Sequence, residues 1–158
     1  MSTELPFKAP DLSEVQDLLP AYDVHAFIAQ GGMGAVYLAS QKSLDREVAI
    51  KILPRQFGEN KAFRAGFEAE AKVMAKLNHP NLIGVYDFGE VDGMLYIAME
   101  YVKGKSLHHS AHGKAIDQKE AGRLALGICK GLAHAHEAGI LHRDIKPANI
   151  LLDPKAKA

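Results

Sequence analysis

Four side chains of different chemistry lie within the eight residues His142-Arg143-Asp144-Ile145-Lys146-Pro147-Ala148-Asn149. An aspartate can accept a proton from a hydroxyl. A lysine two residues on can neutralise a transferring phosphoryl group. The amide oxygen of an asparagine three residues further can ligate a hard metal ion. Arg143 can pair with a phosphate or anchor the loop. The plainer reading is a polar loop holding an Arg–Asp pair. The stretch sits between a helical run and the apolar Ile150-Leu151-Leu152, so it reads as a loop leading into a strand.

Two further stretches could handle a phosphorylated ligand. Gly31-Gly32-Met33-Gly34 offers backbone N–H groups that can approach phosphates without side chains in the way. Spaced glycines also occur in dinucleotide-binding turns, but those open a helix, whereas Val36-Tyr37-Leu38 reads as a strand. In Val48-Ala49-Ile50-Lys51 the strand period puts Ala49 and Lys51 on one face. Ala49 is small, and Lys51, taken alone, would be an ordinary exposed strand lysine. His108, His109 and His112 raise a metal site, but no cysteine or carboxylate nearby completes a tetrahedral set. A solvated polar stretch is the competing reading there.

The elements that must position these residues follow from periodicity and punctuation. Residues 1–10 read as a disordered lead-in. Residues 11–19 read as a short helix, because Asp11 and Glu14 have capping-box spacing, and Pro20 ends it. Strands are expected over 24–30, 35–41, 47–53, 82–88 and 94–99, the last two joined by a turn at Asp92-Gly93. Residues 54–60 read as loop, and 61–77, rich in Ala, Glu and Lys, as a helix broken at His79-Pro80-Asn81. Lys103-Gly104-Lys105 reads as a polar linker and 106–112 as a short helix or loop. Residues 117–137 read as a long helix closed by Gly139. The fold class is α+β: a five-stranded antiparallel sheet with one helix packed on it, then a helical part. The divisions expected are 1–20, 21–102 and 103–158.

Taken together, the motifs resemble those of the eukaryotic-like (Hanks-type) protein kinases. The Gly-Gly-Met-Gly and Lys-Pro-Ala-Asn wording is similar to the bacterial serine/threonine branch, as is a lysine two residues after Asp144. The resemblance implies ATP and Mg²⁺ as cofactors and protein Ser/Thr hydroxyls as acceptors. It places Ala29, Gly31, Gly32, Gly34 and Val36 around the phosphates, Ala29 standing where the family has a glycine. It places Ala49 and the gatekeeper Met99 at the adenine, with the Glu100 carbonyl and Val102 N–H bonding its edge. Lys51 would hold the α- and β-phosphates. Spacing back from Leu77 selects Glu70, with Glu68 as the other candidate, to hold Lys51. Asp144 would orient and deprotonate the acceptor, Lys146 steady the γ-phosphoryl group, and Asn149 bind magnesium. The family's Asp-Phe-Gly motif has no counterpart in the sequence, so the reading is a partial kinase domain, inactive as an isolated 158-residue chain. The alternative is a non-catalytic, pseudokinase-like module that binds nucleotide or a partner.

Composition narrows the classes. Lys+Arg and Asp+Glu each number 19 in 158 residues, so no charge imbalance points to nucleic acid or an anionic membrane surface. No apolar run approaches a membrane span, and the first ten residues lack an apolar signal core, which points to a cytoplasmic protein. The single cysteine, Cys129, lies on an apolar helical face and reads as a buried thiol. The helix over 117–137 is apolar or small at Ala121, Leu124, Ala125, Leu126, Ile128, Cys129, Leu132 and Ala133. So wide an arc predicts self-association of the isolated chain through this helix.

Overall fold

The computed structural model describes residues 7–31 and 33–154. They form two compact units. One comprises the described residues of Met1–Lys76 together with Gly84–Tyr101; the other comprises Leu77–Ile83 and the described residues from Val102 on. The chain passes from the first unit to the second at Tyr101/Val102; 77–83 goes with the second unit and the described N-terminal segment with the first.

The first unit is built on a five-stranded antiparallel sheet. Its strands are β1 (Tyr22–Gly31), β2 (Gly34–Gln41), β3 (Arg46–Ile52), β4 (Val85–Val91) and β5 (Met94–Glu100), in the order β1-β2-β3-β5-β4. All five expected strands are present, the fourth shifted three residues along the chain. Strand alternation separates two faces. Tyr37, Ile50 and Ala98 stand opposite one another across β2, β3 and β5, as do Ala35, Ile52 and Tyr96. Nearly all of these are buried, and with Ala39 and Val48 they form the core.

A helix covers that core face. Helix α1 (Leu12–Leu18) has the expected capping box: Asp11 accepts from the Glu14 N–H, and the Glu14 carboxylate accepts from the Asp11 N–H. Its Val15 is fully buried and Leu19 nearly so, each such side chain contributing about 1.5–3 kcal/mol. The expected lead-in is corrected over 7–10, because Phe7 and Ala9 pack against the same core; residues 1–6 lie outside the described residues. The loop expected over 54–60 is also corrected, since it contains α2 (Arg55–Glu59). There Gly58 allows the helix to lie against the Asp92–Gly93 turn; a methyl group would collide with the Gly93 carbonyl. Asp92 and Gly93 both have positive φ, at 49° and 75°, as a type I′ hairpin requires. Helix α3 (Lys61–Met74), N-capped by Asn60, stops three residues short of the expected end. Its Phe67 meets Phe88 of β4 edge-on, and Arg64 pairs with Glu90.

The second unit holds α4 (Leu107–Ala111), α5 (Gln118–Glu137) and a small sheet of β6 (Lys105–Ser106) with β7 (Leu151–Leu152). Strand β6 replaces part of the expected linker. A methyl on Gly104 would collide with the Leu152 carbonyl, so glycine permits this pairing. Asp117 caps α5, and Gly139 closes it at φ 80°. The Ile140 N–H bonds Ala135 O and the Gly139 N–H bonds His136 O, the paired bonds of a Schellman motif. Gly131 of α5 lies against Asn81, and His134 sits 5.1 Å from His79, so 77–83 is seated on this helix. Cys129 is exposed, contrary to expectation. It lies on the open side of α5 with Ala125, Leu126 and Ala133.

Candidate active site

The site residues fall into two groups, one in each unit. In the first, cross-strand pairing places Lys51 opposite Val36 on one side and Ile97 on the other. Ala49 stands opposite Leu38 and Met99, and Ala29 opposite Val36. Ala29, Val36, Ala49, Lys51 and Met99 therefore share the face opposite the α1-covered core. Ala49 is buried; Val36, Lys51 and Met99 are half-buried.

The glycine stretch is a tight link between β1 and β2, with Gly31 opposite Gly34. Gly34 has φ 128°, and a methyl there would collide with the Ile52 carbonyl oxygen and stand 3.2 Å from Leu53 Cα. Gly31 is exposed, and among the described residues nothing stands within 4 Å of a methyl added there. Gly32 lies outside the described residues. The two described glycines thus differ: one is demanded by the sheet, the other leaves room for a ligand.

Lys51 and Glu70 are not brought together. Among the described residues no ion pair joins them, and both Glu68 and Glu70 are exposed on α3. Glu100 ends β5. Its N–H donates to Gly84 O at 2.8 Å, and its carboxylate accepts from the Gly84 N–H at 3.1 Å. Val102 is the first residue of the second unit in this part of the chain.

The second group is compact. Lys146 Nζ lies 3.3 Å from Asp144 Oδ2. Asn149 Nδ2 donates to Asp144 O at 2.9 Å and to Asp144 Oδ2 at 3.0 Å. A 3-10 turn at Pro147–Asn149 brings the asparagine back over the aspartate. Arg143 adopts φ 65°, and the Asp144 N–H donates to His142 Nδ1 at 3.2 Å. This left-handed residue and the histidine contact set the loop's path; the sequence offered Arg143 as a phosphate partner or loop anchor and gave His142 no part. Lys146 and the Asn149 amide hold the Asp144 carboxyl below its ordinary value. All three side chains are exposed, so Asp144 is an accessible carboxylate at neutral pH.

Among the described residues no three metal-ligating side chains form a metal-holding cluster, His108, His109 and His112 included. The rings of His108 and His112 are 5.7 Å apart. No helix of the described residues is long and apolar enough to cross a membrane.

The first unit thus carries a strand lysine and a glycine hairpin, and the second an exposed Asp–Lys–Asn loop. The protein kinase domain model matches residues 22–158, and the chain belongs to the protein kinase family. Such kinases use ATP, a divalent metal and protein substrates. The chain is 46% identical over 134 residues to the serine/threonine-protein kinase PrkC of Bacillus subtilis, covering 84% of this chain and 20% of that protein. It is 40% identical over 152 residues to the serine/threonine-protein kinase pkn3 of Myxococcus xanthus, covering 94% and 28% respectively. Among solved structures it resembles the PknI kinase domain of Mycobacterium tuberculosis, with a TM-score of 0.77 at 33% identity, covering 84% of this chain and 54% of that one. The chain thus spans less than a third of the length of these two curated relatives.

Proposed function

We propose that this chain forms the ATP-binding and hydroxyl-activating parts of a serine/threonine protein kinase that works with Mg²⁺. The observation that carries the reading is the Asp144–Lys146–Asn149 cluster, in which an exposed carboxylate is oriented by an ammonium and an amide. Asp144 would accept a hydrogen bond from a substrate hydroxyl and take its proton. Lys146, already beside it, would offset negative charge on the transferring group. Asn149 spends its N–H donors on Asp144, which leaves its amide oxygen as the donor atom suited to a hard cation. Bound Mg²⁺ would neutralise phosphate charge. In the first unit, Ala49 and Met99 would face the adenine, Lys51 the phosphates, and Glu100 and Val102 the adenine edge through their backbones. Ala29, Gly31, Gly32, Gly34 and Val36 would line the phosphate side, and Glu70 would hold Lys51 once α3 brings it near. The divisions proposed are an N-terminal extension over 1–20, a small lobe over 21–102 and the start of a large lobe over 103–158.

The test is phosphoryl transfer to a Ser/Thr peptide by the chain extended with the segment that follows the matching region in PrkC. Asp144→Ala, Asn149→Ala and Lys51→Ala should each lower turnover by about 10²-fold or more. Turnover at wild-type level in Asp144→Ala would overturn the assignment. A non-catalytic, nucleotide- or partner-binding module is the second reading, favoured by the separation of Lys51 from Glu70. It predicts nucleotide binding with no transfer in the extended chain.

A further inference from the structure

The segment 7–20 precedes the region matched by the kinase model, yet it is built into the sheet. It meets the face opposite the one that carries Lys51. Two of its backbone carbonyls take hydrogen bonds from the glycine hairpin's own strands. Gln30 Nε2 donates to Phe7 O at 2.6 Å, and the Tyr37 hydroxyl donates to Pro10 O. Gln30 immediately precedes Gly31, and its cross-strand partner is Ala35, next to Gly34. Tyr37 is fully buried, and Phe27 meets its ring edge-on with centroids 5.8 Å apart. At the other end of β1, Gln16 of α1 donates to Tyr22 O at 2.8 Å and accepts from the Val24 N–H at 2.9 Å. Strand β1 is an edge strand with register irregularities after Val24 and Phe27, so among the described residues β2 alone pairs with it, and imperfectly.

We infer that residues 7–20 brace the glycine hairpin: Gln30 and Tyr37 are positioning residues that fix the phosphate-side end of β1 from behind the sheet. The inference rests on the nucleotide-binding reading for its effect on affinity, but not for its structural part. An edge strand held by one partner opens locally at little cost. Side-chain bonds from both hairpin strands to a segment anchored by Val15 and Leu19 remove that freedom. Gly31 is then presented at a fixed position without a side chain of its own.

The experiment compares the 158-residue chain with Gln30→Met, which keeps length and loses the donor, and Tyr37→Phe, which loses only the hydroxyl. Leu95→Ala, which hollows the core beside α2, serves as a control for general destabilisation. Amide exchange is followed by mass spectrometry, together with affinity for an ATP analogue. Both brace variants should speed exchange in peptides covering Phe27–Gly31 while leaving β4 and β5 unchanged. Analogue binding should weaken by about two- to fivefold, up to the loss expected for one hydrogen bond. Unchanged exchange at Phe27–Gly31 in folded Gln30→Met and Tyr37→Phe overturns the brace. So does an equal rise there in Leu95→Ala, which would mark general loosening. If the unaltered chain binds no analogue, the functional reading beneath fails, and the exchange result still decides the brace.

Discussion

Two glycines of one motif should respond in opposite ways to the same methyl group. Gly34 sits at φ 128°, where an L-residue is strained, and its methyl would meet backbone: the Ile52 carbonyl oxygen in collision, its carbon at 3.0 Å and Leu53 Cα at 3.2 Å. Those atoms belong to β3 and its exit, which are held by β5 and by the Leu53 N–H bond to Leu95 O at 2.9 Å. They cannot yield without parting β2 from β3. Strain at such a position costs about 1–3 kcal/mol, and the displacement adds to it. Gly34→Ala should therefore cost about 2–4 kcal/mol, enough to lower Tm of a unit this size by about 10 °C or more. Among the described residues Gly31 has no atom within 4 Å of the added methyl, and its φ is not positive. Gly31→Ala should change stability by no more than about 1 kcal/mol, of either sign. It should weaken nucleotide binding instead, because the methyl stands between the backbone and the phosphates. Thermal melts and ATP titrations of both variants provide the check. Equal destabilisation by the two, or a Gly34→Ala protein as stable as the unaltered chain, would refute the packing argument.

Three further outcomes are expected. Because Lys146 and Asn149 hold the Asp144 carboxyl down, their contribution to the loop is present above its ordinary value of 3.8 and is lost as pH falls through the lowered one. Lys146→Met should return the Asp144 titration, followed by carboxyl NMR, towards that ordinary value, and an unmoved midpoint would sink the coupling. A methyl on Gly131 would lie 2.8 Å from Asn81 O, so Gly131→Ala should cost about 1–3 kcal/mol. Gly122→Ala, in open space on the same helix, should instead stabilise by about 0.5–1 kcal/mol in parallel melts. Leu126 on α5 is 55% exposed beside other apolar positions, so the 158-residue polypeptide should associate at micromolar concentration and Leu126→Lys should reduce it. Light scattering that finds the unaltered polypeptide a monomer would end that argument.

The strands were legible because alternation is a local signal: Val48 and Ile50 face one way and Ala49 and Lys51 the other, whatever lies beyond them. The capping box announced α1 for the same reason. Its destination was not legible, since a short apolar stripe does not say which surface it will cover. That surface proved to be the Tyr37–Ile50–Ala98 face. Helix α2 was hidden by Pro54 and Gly58, which read as loop residues; Gly58 is there because the Asp92–Gly93 turn lies against it. Strand β6 is two residues long and exists by pairing with Leu151–Leu152, a partner far along the chain that no local pattern reveals. Within the candidate site, the types and spacing of Asp144, Lys146 and Asn149 pointed to one cluster, and the 3-10 turn supplies it. The left-handed Arg143 had no sequence signal, because the residue carries no conformational preference for φ 65°. The Lys51–Glu70 pair depends on where α3 stands against the sheet, a tertiary quantity that spacing along the helix does not fix.

The most direct measurement is ATP binding by the 158-residue chain and its Lys51→Ala variant, by titration calorimetry with thermal melts alongside. Lys51 stands on the half-buried face opposite Val36 and Ile97, away from the α1-covered core, so its truncation should leave Tm nearly unchanged. The account predicts saturable binding to the unaltered chain, competed by ADP, and a loss of about tenfold or more in the variant, as expected for removing a charged phosphate contact. Equal affinity in the two proteins, or no saturable binding to a chain that melts cooperatively, would contradict it.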